Sequence, residues 1–294
     1  ISIRSLLLGS QAYGKTFIKN ILLSEDIINS IKCLKKLGIK ILLNKKNCYV
    51  YGKGLNGFEY KKNIVLNAGN SGTFARLVLG LLIKSPYYIK LVGDKSLSQR
   101  DFERVISPLQ KVGASFKFNK KKTLPLQIIG SNFTNPIHYF EKRGSAQCKS
   151  AVMLAALNSS GETVINAKKS RDHTENFFKY LGIPIVIKKN KIYDEIRVRG
   201  QKFFRSFRYK VPSDPSSCAF FIVLTLLSKN CELKIKNVNV NQSRIGYIKI
   251  LNKMGAKIKI KNVKKLYGEK QGDIFVKSQP YLKNITCPTN LSSN

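Results

Sequence analysis

Histidine is nearly absent: the 294 residues contain two, His138 and His173. That excludes a multi-histidine metal centre. The six cysteines (Cys33, Cys48, Cys148, Cys218, Cys231, Cys287) form no C-x-x-C pair. They read as reduced, intracellular thiols, not as a zinc site or a disulfide framework. Acidic residues are scarce too, 16 against 53 Lys+Arg, for a net charge of +37. Long apolar runs are missing: residues 218–227 and 152–157 are the most apolar stretches, far short of the roughly 20 residues of a membrane span. Residues 1–8 lack the basic region, apolar core and cleavage site of a secretory signal. The chain starts with Ile and not Met, so a true N-terminus upstream of Ile1 is expected.

What is present is an ordinary globular composition, 43% hydrophobic and 23% charged. It excludes disorder as the main description and supplies the core of one large or two medium domains. The basic excess is spread along the whole chain among many Ile and Asn. It reads as compositional drift toward Lys that leaves a solvated basic surface. The other reading is a polyanion partner. No RNA-binding aromatic motif or dense basic block accompanies the charge, so no nucleic-acid partner is expected.

A pattern recurs four times: a stretch with apolar residues three and four apart, a Gly, then alternating apolar residues. The segments are IKCLKKLGIKILL (31–43), ISPLQKVGASFKF (106–118), FFKYLGIPIVI (177–187) and IKILNKMGAKIKI (248–260). Their pivots Gly38, Gly113, Gly182 and Gly255 lie 75, 69 and 73 residues apart. This predicts a helix stopped by a Gly in the left-handed conformation, then a half-buried strand. A second landmark keeps the same interval, in which a short polar segment runs into an apolar helix. It contains Ser2, Ser71, Ser145 and Ser216, 69, 74 and 71 residues apart. Helix N-termini carry unshared N–H groups and the positive end of the macrodipole, so helices in phase predict an anion site. The prolines of VPSDP (211–215) mark the boundary before the fourth unit. A lone fourth unit is expected to expose one side of its core. The tail 286–294 (TCPTNLSSN) reads as polar and mobile.

Six segments then point one way: NAGNSGTFAR (67–76), GDKSLSQRDFERVISPL (93–109), GSAQCKSAVMLAAL (144–157), SRDHTE (170–175), VPSDPSSCAF (211–220) and NQSRIG (241–246). Together they resemble the 5-enolpyruvylshikimate-3-phosphate synthase family, over residues 1 to about 288. The resemblance implies an α+β fold of repeated βαβαββ units of the enolpyruvyl transferase type, with four of six units present. Residues 1–212 would form the first domain, three units on the shikimate 3-phosphate side, and 213–294 a partial second domain of one unit. The implied reaction transfers the enolpyruvyl group of phosphoenolpyruvate to the 5-hydroxyl of shikimate 3-phosphate and releases phosphate. It implies no cofactor and no metal, a cytoplasmic enzyme, no membrane, and a monomer when full length.

By the same resemblance, Asn70, Gly72 and Arg100 contact phosphoenolpyruvate. Arg4, Ser145, Ala146, Gln147 and Arg171 hold shikimate 3-phosphate, with Gln147 also touching phosphoenolpyruvate. The residue types suit the work: a small residue lets backbone N–H groups approach, and a guanidinium fork grips carboxylate or phosphate. Lys149 and Asp214 lie in matching motifs as further candidates, and His173 reads as a structural hydrogen-bonding histidine. Four departures stand out: Ile3 for a polar residue, Asp101 for Pro, Ser213 for Gly, and Gln242-Ser243 for Pro-Thr. The family's N-terminal GDKS motif, with its Lys, is expected just before Ile1. The GDKS at 93–96 belongs to the Arg100 motif instead. The catalytic Asp of an IDE motif is expected after Asn294. The 294 residues alone are therefore expected to retain weak anion binding but no turnover. Two alternatives stand beside this reading. One is the sister transferase acting on UDP-N-acetylglucosamine, disfavoured because residues 95–101 hold no Cys. The other is a basic, non-enzymatic polyanion- or RNA-binding repeat protein.

Overall fold

The computed structural model describes residues 1–279 and 281–288 and shows one order of elements four times. The first repeat holds α1 (Ser2–Gln11), β1 (Tyr13–Lys19), α2 (Glu25–Lys36), β2 (Lys40–Asn44) and β3 (Asn47–Lys53). The second runs β4 (Val65–Asn67), α3 (Gly72–Leu81), β5 (Ile89–Val92), the short α4 (Lys95–Ser98), α5 (Glu103–Val112), β6 (Ser115–Lys117) and β7 (Leu126–Ile129). The third runs β8 (His138–Glu141), α6 (Ala146–Ala156), β9 (Glu162–Lys168), α7 (His173–Tyr180), β10 (Ile185–Lys188) and β11 (Tyr193–Arg199), followed by β12 (Arg208–Lys210). The fourth has α8 (Pro215–Leu227), β13 (Glu232–Asn239), α9 (Gly246–Lys253), β14 (Lys257–Leu266) and β15 (Glu269–Lys277). Residues 289–294 of the tail expected to be mobile lie outside the described residues.

Each glycine pivot ends a helix, and each does so with the same hydrogen bonds. Gly38, Gly113, Gly182 and Gly255 all have positive φ. The amide after each reaches a carbonyl five residues back: Ile39 to Leu34, Ala114 to Leu109, Ile183 to Phe178 and Ala256 to Leu251, at 3.0–3.1 Å. This is the Schellman arrangement, in which a left-handed residue turns the chain so the last carbonyls are satisfied. At Gly38 a side chain is also sterically barred, since a β-carbon would lie 2.3 Å from the Glu59 carbonyl oxygen.

Three sheets share one strand order. β4-β5-β7-β6 and β8-β9-β11-β10 each begin with a leading strand parallel to the next. In β12-β1-β3-β2 the leading strand comes from the far end of the third repeat: Phe17 pairs with Arg208 and Lys19 with Lys210. In the fourth repeat, β13-β15-β14, the parallel bridge of Ser213 to Val238 occupies the leading position.

The chain divides into two units, Ile1–Lys169 with Phe178–Val211, and Ser170–Phe177 with the residues from Pro212 onward. In the first, α1, α3 and α6 are the inner helices, with almost every residue buried. α3 and α6 touch backbone to backbone, for a β-carbon on Gly80 would lie 2.2 Å from the Ala151 carbonyl oxygen. The outer helix α5 buries Val105, Ile106, Leu109 and Val112 and leaves its polar face wet, as spacings of three and four demand. In the second unit Ile222 and Leu226 of α8 are buried with Val238, Ile248, Ile258 and Ile274. The opposite side of α8 is open to solvent: Phe220 is 80% exposed and Leu224 65%.

Candidate functional site

Two of the four serines in phase cap their helices. Ser71 Oγ accepts from Phe74 N (3.3 Å) at α3, and Ser145 Oγ accepts from Cys148 N (3.2 Å) at α6. The other two sit inside the first turn. At α8 the cap is Asp214, whose carboxylate accepts from Ser217 N at 3.0 Å. Pro215 has a fixed φ suited to the first helical position, so the capping role falls on the residue before it. At α1 the cap position is Ile1, with no side-chain bond, and Ser2 Oγ instead accepts from Leu22 N at 3.3 Å.

The helix ends of α3 and α6 are tied together. Gln147 donates from Nε2 to Thr73 Oγ1 (3.0 Å) and accepts at Oε1 from Arg76 Nη1 (3.0 Å). Arg76 also donates to the carbonyls of Gly72 (3.4 Å) and Asp101 (3.2 Å), and its guanidinium lies 4.9 Å from the Phe102 ring centre. Arg100 donates to Asn70 Oδ1 (3.4 Å), and Asn70 Nδ2 donates to Asp94 Oδ2 (2.6 Å). Gly72 is where they meet: a β-carbon there would lie 3.0 Å from Nη1 of both Arg76 and Arg100. The structure therefore brings Asn70, Gly72, Arg100 and Gln147 to one place, through Arg76.

The guanidinium groups of Arg76, Arg100 and Arg104 lie close enough to repel one another. Burial, together with the neighbouring cations Arg100 and Arg104, lowers the Arg76 pKa against the opposing pull of Cys148 and Asp101. The hydrogen bond from Asn70, then that from Leu97 N, holds the Asp94 carboxyl below its ordinary value. Ser145 and Ala146 stand beside this cluster at the start of α6. The Ser145 amide is engaged by the buried Glu141 carboxylate at 2.8 Å. The Ala146 and Gln147 amides belong to the first turn, whose N–H groups find no acceptor within the helix. Arg4 lies one turn deeper. It is buried in α1 and donates to Ser150 Oγ of α6 at 3.2 Å. Lys149 is buried on the same helix.

Arg171 belongs to the second unit. Burial, then the charge of Arg244, lowers its pKa, while Asp214 opposes them. Arg244 donates to Asp214 Oδ1 (2.9 Å) and Ser216 Oγ (2.8 Å), and its Nη1 lies 3.4 Å from His173 Nε2. On the other side of the ring, His173 Nδ1 lies 2.6 Å from Glu269 Oε1. Glu269 further accepts from Asn239 (3.0 Å) and Asn241 (3.2 Å). His173 is thus a buried, hydrogen-bonded histidine.

Sequence reasoning left Arg76 and Arg244 unassigned. Arg76 had a usable signal, since it follows Gly72 by four residues on α3 and so shares its face. Arg244 lies in the NQSRIG segment (241–246), but its role was hidden because its partners are 28 to 71 residues away. Burial pushes the thiols of Cys33 and Cys218 up to about 11 and that of Cys48 to about 12. Among the described residues no helix is long and apolar enough to cross a membrane.

The chain as a whole is similar to known proteins. The family model described as EPSP synthase (3-phosphoshikimate 1-carboxyvinyltransferase) matches residues 1–288. The 3-phosphoshikimate 1-carboxyvinyltransferase of Ruthia magnifica subsp. Calyptogena magnifica is 42% identical over 294 residues, 100% of this chain and 66% of that protein. The protein of that name from Petrotoga mobilis is 43% identical over 282 residues, 95% of this chain and 64% of its own. The solved structure of EPSP synthase from Acinetobacter baumannii matches with a TM-score of 0.87 at 32% identity, covering 99% of this chain and 65% of that one. The chain spans about two thirds of the length of the relatives it matches.

Proposed function

The chain belongs to the EPSP synthase family, and on that premise we propose that it serves enolpyruvyl transfer from phosphoenolpyruvate to the 5-hydroxyl of shikimate 3-phosphate, with release of phosphate. Both substrates are phosphorylated carboxylates. The observation that carries the reading is the convergence of Arg76, Arg100, Asn70 and Gln147 on Gly72. Two guanidinium groups meet there beside two helix N-termini, an arrangement suited to a doubly charged anion. In this reading Asn70, Gly72, Arg100 and Gln147 take phosphoenolpyruvate. Ser145, Ala146 and Gln147 take shikimate 3-phosphate, with Arg4 for its carboxylate and Arg171 for its phosphate. The three repeats of residues 1–212 carry the shikimate 3-phosphate side, and 213–294 contribute one repeat of a second domain. The enzyme is read as cytoplasmic, monomeric at full length and free of cofactors.

The residues present bind and orient. The 294 residues contain no IDE, and their single GDKS lies in the Arg100 motif, so the proton-transfer Lys and Asp expected of the family are proposed to lie outside them. The test is calorimetric titration of this chain with each substrate, alongside a phosphate-release assay. Shikimate 3-phosphate should bind and raise the melting temperature, Arg100→Lys should weaken phosphoenolpyruvate selectively, and phosphate release should stay at background. No binding at millimolar ligand would overturn the site. Rapid phosphate release would overturn only the assignment of proton transfer to other residues.

A further inference from the structure

The first sheet has a second face, turned away from the inner helices. Along β1 and β3 burial alternates: Thr16, Ile18, Cys48 and Val50 point inward, while Lys15, Phe17, Lys19, Tyr49 and Tyr51 point outward. Cross-strand register gathers the outward residues into rows. Arg208 pairs with Phe17, Phe17 with Tyr49, and Tyr51 with both Lys15 and Lys40.

The rings and cations touch. Phe17 and Tyr49 stack with centroids 5.0 Å apart. Lys15 Nζ lies 4.6 Å from the Tyr49 ring centre and 5.7 Å from that of Tyr51, and Lys40 Nζ lies 5.2 Å from Tyr51. A cavity of about 430 Å³ opens beside them, lined by Lys15, Phe17, Tyr49, Ser206, Phe207 and Arg208. None of the four strands carries an Asp or Glu. Lys19 and Lys210 even face each other across β1 and β12. Like charges opposed across a sheet cost stability and are relieved by an anion.

We propose that this face binds single-stranded nucleic acid, by stacking unpaired bases against Phe17, Tyr49 and Tyr51 while Lys15, Lys19, Lys40, Arg208 and Lys210 neutralise the backbone. A polyanion without rings would need only the charges. Half-buried aromatic rings interleaved with cations on a four-stranded sheet add stacking, which tolerates any sequence. Four strands about 4.8 Å apart span roughly 14 Å, room for two or three splayed nucleotides. The chain shows no RNA-binding motif locally because the contributing residues come from segments as far apart as Phe17 and Arg208. Only strand register assembles them. The inference is independent of the enolpyruvyl reading, which concerns the helix side of the same unit.

The experiment is fluorescence anisotropy of a labelled oligouridylate of about 12 nucleotides against the full chain, between about 50 and 200 mM salt. Tyr49→Ser with Tyr51→Ser should weaken binding about tenfold. Lys15→Glu with Arg208→Glu should weaken it and flatten the salt slope by about 1.4, near 0.7 per lost phosphate contact. The control Lys120→Glu with Lys121→Glu removes the same charge from an exposed loop and should change affinity by less than about threefold. Heparin, which has no bases, should bind the wild type and the tyrosine variant equally. Circular dichroism confirms that each variant is folded. The proposal is overturned if the loop variant loses as much as the sheet variant, if the tyrosine pair changes nothing, or if the oligonucleotide does not bind.

Discussion

Arg76 Nη1 and Gln147 Oε1 stand 3.0 Å apart and join the second turn of α3 to the first turn of α6. Gln147 is thereby both a proposed ligand contact and the tie that fixes where two helix N-termini point. Gln147→Ala removes the bonds to Arg76 and Thr73 together. The expected cost is about 1–3 kcal/mol of stability, read from urea denaturation. Calorimetry should show a loss of phosphoenolpyruvate affinity of tenfold or more, on the order of one charge-assisted hydrogen bond.

Gly72→Ala tests the same place without touching the fold. The added methyl meets two guanidinium ends at 3.0 Å, and both can swing aside. The melting temperature should hold nearly constant. Phosphoenolpyruvate affinity should fall about fivefold, equivalent to roughly 1 kcal/mol. A binding constant unchanged in this variant would separate Arg76 and Arg100 from the ligand.

Gly80→Ala should behave in the opposite way. Its methyl would meet the Ala151 carbonyl oxygen at 2.2 Å, backbone against helix, and neither helix can give locally. We expect about 1–3 kcal/mol of destabilisation from overpacking, visible as a lower thermal midpoint. Substrate affinity per folded molecule should be nearly unaffected.

Acid should weaken the second unit through Glu269. Burial pushes its carboxyl up, but the hydrogen bond and charge of His173, with bonds from Asn239 and Asn241, outweigh this and hold it below the ordinary 4.5. A lowered native pKa means that the unfolded chain takes up protons first as pH falls. The stabilisation is therefore complete above about pH 4.5 and is lost as pH drops through the native value. Glu269→Gln should be less stable at neutral pH, by up to about 3 kcal/mol. It should also show a flatter stability profile in acid, measured by urea denaturation across that range.

The repeat was legible because each helix stop needs a residue that tolerates positive φ, and four glycines at even intervals announce it. Helix capping was half legible: serine is a good cap, but Pro215 and Ile1 moved the cap to positions that spacing alone did not single out. Asn70, Gly72, Arg100 and Gln147 could be named from motifs, yet Arg76, which shares a helix face with Gly72, showed its link to Gln147 only once α3 and α6 were set side by side. Of the network of His173, Glu269 and Arg244, only the structural character of His173 was legible. Its members are up to 96 residues apart, and only burial makes their mutual satisfaction obligatory.

The borrowed edge of the first sheet has a consequence for synthesis. Thr16 and Phe207, joined by a hydrogen bond, are 191 positions apart, and β12 supplies an edge that the second and third repeats take from just upstream of their own inner helix. While the ribosome is still translating the first three repeats, β1 must wait with that margin unfilled. Only when Arg208–Lys210 emerges can that module be sealed, so it is completed after the second and third repeats although it is made before them.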